Sequence, residues 1–100
     1  TSSKRPPLLP DVPSITEFGY KDFDDYTWFG FFFPAGTPQV IVDKFNTALN
    51  QAMETPEITE RFAQLGMSSS NNSAADFRKF LQAEVPKWAA VVKSSGAKAE

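Results

Sequence analysis

Cysteine and histidine are both absent from this 100-residue chain. Without thiols or imidazoles, no disulfide framework, Cys/His zinc site, cysteine nucleophile or histidine general base can be assembled within it. Excess charge is missing too: ten Lys and Arg face twelve Asp and Glu, for a formal net charge of −2. A pI of about 5.1 argues against a nucleic-acid footprint, which needs a basic face. Long apolar runs are lacking. The longest, Trp28 to Ala35, falls well short of the roughly 20 residues that cross a bilayer as a helix. The first residues contain no basic stretch followed by an apolar one, so no signal peptide is expected, and the sequence opens on Thr1 as a piece of something longer would.

Phenylalanine and proline are plentiful instead, at ten and eight residues. Four prolines, Pro6, Pro7, Pro10 and Pro13, fall in the first twenty residues with Leu8, Leu9 and Val12 between them. Proline fixes its own φ and pushes its predecessor toward extended geometry, which predicts a polyproline-like or turn-rich arm packed on a surface. Ser14 and Glu17 have the spacing of a capping box, so a short helical turn is expected there, ended by Gly19. Residues 26–33, Tyr-Thr-Trp-Phe-Gly-Phe-Phe-Phe, are aromatic or β-branched apart from Gly30 and are bounded by Pro34. That composition predicts a strand, apolar on both faces and therefore buried on both. Such a strand needs neighbours, and no comparable second one occurs in the sequence.

The remainder reads as helix. Thr37 and Pro38 form an N-cap and first-position pair ahead of a stripe of Val40, Ile41, Phe45, Ala48, Leu49, Ala52 and Met53. Thr55 and Pro56 repeat the signal ahead of Ile58, Phe62 and Leu65, and Gly66 stops the second helix. Ser73 and Asp76 open a third, with Phe77, Phe80, Leu81, Val85, Trp88 and Val92 expected inward and a kink expected at Pro86. The fold class is α/β, represented here by a mostly helical piece with one buried strand at 26–33 and helices near 38–54, 56–65 and 74–95.

No catalytic constellation emerges. Counted from Asp22, a calcium loop would need Gly at its sixth position and Glu at its twelfth, but these are Thr27 and Phe33. Asp22, Asp24 and Asp25 read better as a solvated loop at the strand's entry. The aromatic run has no basic residues interleaved for stacking on nucleic acid. Pro34 to Pro38 could receive an anion on backbone N–H groups, but Pro38 removes a donor and capping explains the segment better. No metal ligand set and no cofactor are expected.

A resemblance supplies what residue chemistry does not. Lys4-Arg5, Leu8-Leu9-Pro10-Asp11-Val12-Pro13-Ser14 and Glu17-Phe18-Gly19-Tyr20 occur in the order seen in Bug receptors, the extracytoplasmic solute receptors of tripartite tricarboxylate transporters. Thr27-Trp28-Phe29-Gly30 and Phe33-Pro34-Ala35-Gly36-Thr37-Pro38 are similar to that family's next segment. Leu49-Asn50-Gln51-Ala52, Pro56-Glu57, Val92-Lys93 and the ending Gly96 to Glu100 extend the resemblance along essentially the whole chain.

The resemblance implies a much longer parent with an export signal and two α/β lobes, a type II periplasmic binding protein. Residues 1–25 would be the crossing between lobes, and 26–100 a strand with the C-terminal helices of one lobe; the N-terminal two-thirds of the parent is not represented. Much of the carboxylate-gripping backbone would lie in that other part. The implied role is capture of a small organic acid in the periplasm and its delivery to membrane permease subunits, with no enzymatic step. Asp25, Tyr26, Thr27 and Trp28 are the hinge or ligand-cleft candidates, placed where polar sequence enters the strand. By itself, the fragment is expected to self-associate, or to pair with a companion chain, through residues 26–33. The alternative is a small interaction module whose Pro7-x-x-Pro10 arm docks in an aromatic groove.

Overall fold

The computed structural model describes residues 2–98; Thr1 and the final pair of the family-like ending, Ala99 and Glu100, lie outside the described residues. Three helices form the body: α1 (Gln39–Met53), α2 (Pro56–Gln64) and α3 (Ala74–Ser95). They follow an arm that contains one 3-10 turn, Ile15–Phe18.

The arm is turned and is not a polyproline helix. Leu9 N donates to Pro6 O at 3.0 Å and Val12 N to Leu9 O at 3.1 Å, closing two successive turns. Its polar groups then tie it to itself. Arg5 grips Glu17 through Nε to Oε1 at 2.7 Å and NH2 to Oε2 at 2.5 Å, and its NH1 donates to Pro10 O at 2.9 Å. Ser14 N donates to Glu17 Oε1 at 2.9 Å, which realises the expected Ser14–Glu17 cap. Ser3 N donates to Asp24 Oδ1 and Ser3 O accepts from Thr16 Oγ1, so the arm's two ends meet. Ser14, 8 % exposed, is the one buried residue among those described. Gly19 takes the left-handed conformation at φ 94° that ends the 3-10 turn.

Residues 26–33 correct the strand expectation. The segment is neither helix nor strand; among the described residues it pairs with no strand, and its backbone N–H and C=O groups take part in no hydrogen bond. Nor is it buried: Phe29 is 79 % exposed, and Phe31 and Phe32 are each 65 % exposed. The reason is topological. An isolated segment has no ladder partner, and helices can cover its side chains but cannot satisfy its edges. The alternation of side chains survives. Trp28 and Phe32 meet Phe77 of α3 at ring separations of 5.8 and 5.4 Å, while Phe31 and Phe33 meet Phe45 of α1 at 5.6 and 5.2 Å.

The helices stand close to their expected bounds, with two corrections. Pro38, not Thr37, caps α1, because Thr37 turns its hydroxyl back to Pro34 O at 2.8 Å. α3 continues through Pro86, whose missing N–H leaves the carbonyl of the exposed Gln82 without that helical partner. Val85, Trp88 and Val92, expected inward, are exposed. The other two starts hold. Pro56 is the first residue of α2, and Ser73 Oγ accepts from Asp76 N at 3.1 Å while Asp76 Oδ2 accepts from Ser73 N at 3.2 Å. The connector before α3 is pinned to α1, with Asn46 and Asn50 both donating to Asn72 O, at 2.9 and 3.0 Å.

Among the described residues no hydrophobic side chain is buried. The chain exposes 8532 Å² at a mass of 11.1 kDa, against about 5,700 Å² for a folded monomer of that mass. Its radius of gyration is 16.6 Å, where a compact domain of this length has about 13 Å. Among the described residues the helices pack as a loose layer with no second layer of structure over their apolar faces.

Candidate functional site

The four residues singled out from the sequence sit together where the arm joins the aromatic segment. Asp25, Tyr26, Thr27 and Trp28 line an open recess of about 450 Å³, and Trp88 of α3 forms the opposite wall. Asp25 and Trp28 are half-buried, while Tyr26 and Thr27 are exposed.

Two sets of contacts hold the recess. Trp28 stands edge-on to Phe77 and Phe80, at centroid separations of 5.8 and 5.2 Å, and so is fixed against the first turns of α3. Asp25 is fixed by charge: its Oδ1 lies 2.5 Å from Lys87 Nζ. Lys87 also reaches Glu84 Oε1 at 3.2 Å, and the other oxygen of Glu84 accepts from Trp88 Nε1 at 2.8 Å. The ammonium lies 5.5 Å from the Trp88 ring centroid, within cation–π range. Hydrogen bonding to Asp25, then to Glu84, raises the Lys87 pKa above its ordinary value. The result is a tryptophan-walled recess, floored by a charge relay that joins the arm's end to α3.

Glu84, Lys87 and Trp88 are absent from the sequence-derived candidates, where Trp88 counts only as packing. Their i, i+3, i+4 spacing does place them on one helix face. Nothing in the sequence says that Asp25 meets that face. Two of the neighbouring aspartates have different partners: Asp24 accepts from Ser3 N and Asp25 pairs with Lys87. Among the described residues no group of three or more acidic side chains could hold a metal ion. A second, apolar groove of about 370 Å³ runs between residues 31–37, α1 and α3, with Asn46 and Arg78 on its lining.

Residues 1–97 match the family described as tripartite tricarboxylate transporter family receptor. The chain belongs to that receptor family. Protein BugT of Bordetella pertussis (strain Tohama I / ATCC BAA-589 / NCTC 13251) is 34 % identical over 97 residues, covering 97 % of this chain and 30 % of that protein. The UPF0065 protein in the tcbD-tcbE intergenic region of Pseudomonas sp. (strain P51) is 35 % identical over 89 residues, covering 88 % of this chain and 26 % of that protein. A UPF0065 protein in the TAR-I ttuE-ttuC' intergenic region of Agrobacterium vitis is 35 % identical over 99 residues, covering 96 % and 29 %. The chain therefore spans less than a third of the length of these receptor-family relatives. No solved structure matches it significantly. For a receptor-family chain of this extent, exposed helix faces and an unpaired aromatic segment are what a partial layer leaves open.

Proposed function

We propose that this chain is part of an extracytoplasmic solute-binding receptor that captures a small organic carboxylate and passes it to the permease subunits of a tripartite tricarboxylate-type transporter. The observation that carries this reading is the family match over residues 1–97. The working receptor would be periplasmic, with two α/β lobes, and would bind and release its ligand without reacting with it. No cofactor is required for that cycle. Closure of the lobes would be driven by the ligand's greater affinity for the closed state.

Within that receptor, residues 1–25 would form the last crossing between lobes, and 26–100 would belong to one lobe. The Asp25–Trp28 recess would then lie at the hinge and cleft mouth. Two features support that placement: the arm is tied to itself and behaves as a unit, and the Asp25–Lys87 pair anchors its end to α3. The interaction-module alternative finds no support in the arm, whose Pro7-to-Pro10 stretch is folded into turns and not extended for an aromatic groove.

The test is Trp28→Ala in a full-length receptor carrying this segment, with affinity for a panel of di- and tricarboxylates read by calorimetry and closure read by small-angle scattering. Weakened binding or an altered open-to-closed balance is the expected result. Unchanged affinity and closure would remove the recess from the working cleft, and no carboxylate binding by the unsubstituted receptor would overturn the functional reading itself.

A further inference from the structure

We propose that Lys87 is a positioning residue: through Asp25 it latches the arm's end to α3, sets the angle at which the arm leaves the helical body, and so sets the balance between open and closed receptor. The effect on closure rests on the receptor reading; the latch itself does not.

The first observation is where the ion pair sits. Ser3 N donates to Asp24 Oδ1 at 2.8 Å and Arg5 clamps Glu17, so the arm is tied to itself as far as Asp24. On the other side, Trp28 is seated edge-on against Phe77 and Phe80 of α3. Asp25, Tyr26 and Thr27 lie between these anchors. Hinges are short stretches of this kind, a few residues beside an element that absorb a change in φ and ψ. Asp25 Oδ1 lies 2.5 Å from Lys87 Nζ, so a charge pair spans the joint. Asp24, the neighbour that could compete for the ammonium, is engaged by Ser3 N.

The second observation is what stands behind Lys87. Its ammonium lies 3.2 Å from Glu84 Oε1, one turn back on α3, and 5.5 Å from the Trp88 ring centroid. The other oxygen of Glu84 accepts from Trp88 Nε1 at 2.8 Å, which holds the carboxylate in place. These partners belong to α3 and stay with Lys87 when Asp25 departs. Separating a pair is costly when it strands a buried charge, but here the ammonium keeps a carboxylate and a ring face. The Lys87 and Asp25 side chains are 40 % and 29 % exposed, and ion pairs open to solvent are weak. The pair is directional enough to hold one angle and weak enough to release. That is what a latch requires.

The experiment uses a full-length receptor carrying this segment, without ligand. Spin labels on Asp11→Cys in the arm and Lys93→Cys near the end of α3, both exposed positions, report the distance between arm and body by pulsed electron paramagnetic resonance. A single narrow distribution is expected. Lys87→Met, which removes the charge, should widen it, and Asp25→Asn, which breaks the pair from the other side, should widen it as well. Lys87→Arg should keep it narrow, and the exchanged pair Asp25→Lys/Lys87→Asp should narrow it again, since opposite charges face each other once more. A joint that samples more angles spends less time in the binding-competent arrangement. Calorimetry with the di- and tricarboxylate panel should therefore find Lys87→Met weaker by about two- to fivefold, the factor for an exposed ion pair. An unwidened distribution in both Lys87→Met and Asp25→Asn would overturn the latch, whatever the receptor binds. A widening that Lys87→Arg shares and the exchanged pair fails to reverse would overturn it equally, and widening with unchanged affinity would overturn the link to closure. Absence of carboxylate binding by the unsubstituted receptor would overturn the receptor reading instead, and the distances would still decide the latch.

Discussion

Gly30 lies against the ring of Phe77, where a methyl group added to it would overlap Cζ and stand 3.0 Å from Cε1. The glycine is required by space and not by backbone angle, since its φ lies outside the left-handed range occupied by Gly19, Gly36, Gly66 and Gly96. The aromatic segment can reach α3 only because this position has no side chain. Trp28 and Phe32 flank it and take the Phe77 ring between them.

Gly30→Ala should therefore destabilise the chain by about 1–3 kcal/mol, the usual range for overpacking a contact. Equilibrium denaturation followed by tryptophan fluorescence would measure it. Phe77 is held by three other rings and has little room to swing away, so the double variant Gly30→Ala/Phe77→Leu should recover part of the loss. Recovery of nothing would mean that the alanine acts elsewhere.

The Arg5–Glu17 clamp predicts an acid transition confined to the arm. Hydrogen bonds from Arg5, then from Ser14, lower the Glu17 pKa from 4.5 to about 2. A depressed carboxylate contributes stability that is complete above its unfolded pKa and fades as pH falls from 4.5 toward 2. Carboxyl-detected NMR should find Glu17 titrating near the bottom of that window, with amide shifts confined to Ser3, Ser14 and Thr16. In Arg5→Gln the midpoint should return toward the ordinary glutamate range. An unmoved midpoint would show that the guanidinium is not its cause.

Lys87 predicts the opposite sign at the alkaline end. Asp25 raises its pKa above 10.5, so its contribution is present below that value and is lost as pH rises through the folded pKa. Trp88 lies beside the ammonium, and Trp28 lines the same recess. A step in tryptophan emission is therefore expected above pH 10.5. Lys87→Met keeps most of the aliphatic stem and should abolish that step while leaving the helix content intact.

Ser73→Ala removes the side-chain acceptor for Asp76 N and the hydroxyl that donates to the Asp76 carboxylate at 2.7 Å. The cost should be about 1 kcal/mol, read as faster amide exchange over the first turn of α3, from Ala74 to Phe77. Because Phe77 carries the contacts to Trp28 and Phe32, the emission of Trp28 should shift as well. Ser73→Thr should preserve both readouts, since it keeps the oxygen.

Much of the local structure was legible in the residues. Pro56 at a helix start, the Ser73–Asp76 cap and the Ser14–Glu17 cap are decided within three or four residues of chain, where hydrogen-bonding geometry is set by spacing alone. Thr37 was legible only in part: as an N-cap its hydroxyl oxygen would accept from a helix N–H, but here the hydroxyl donates to Pro34 O in the turn behind it. Of the candidate site, Asp25 to Trp28 could be picked out as a polar-to-apolar junction. Glu84, Lys87 and Trp88 could not be joined to them, because a contact across some sixty residues is set by how α3 packs.

What the sequence by itself determined is the inventory of chemistry and the local conformation. Without His or Cys there is no imidazole or thiol chemistry, and alternating aromatics between an acidic triad and a proline make a segment with two apolar faces. Only the tertiary structure decided that the segment would lack a sheet, that Lys87 would close on Asp25, and that no hydrophobic residue among those described would be buried. The physical reason is that alternation and capping are properties of neighbours in sequence, whereas burial and strand pairing need a second surface. Here α1 and α3 cover side chains of the aromatic run, but its two backbone edges remain open.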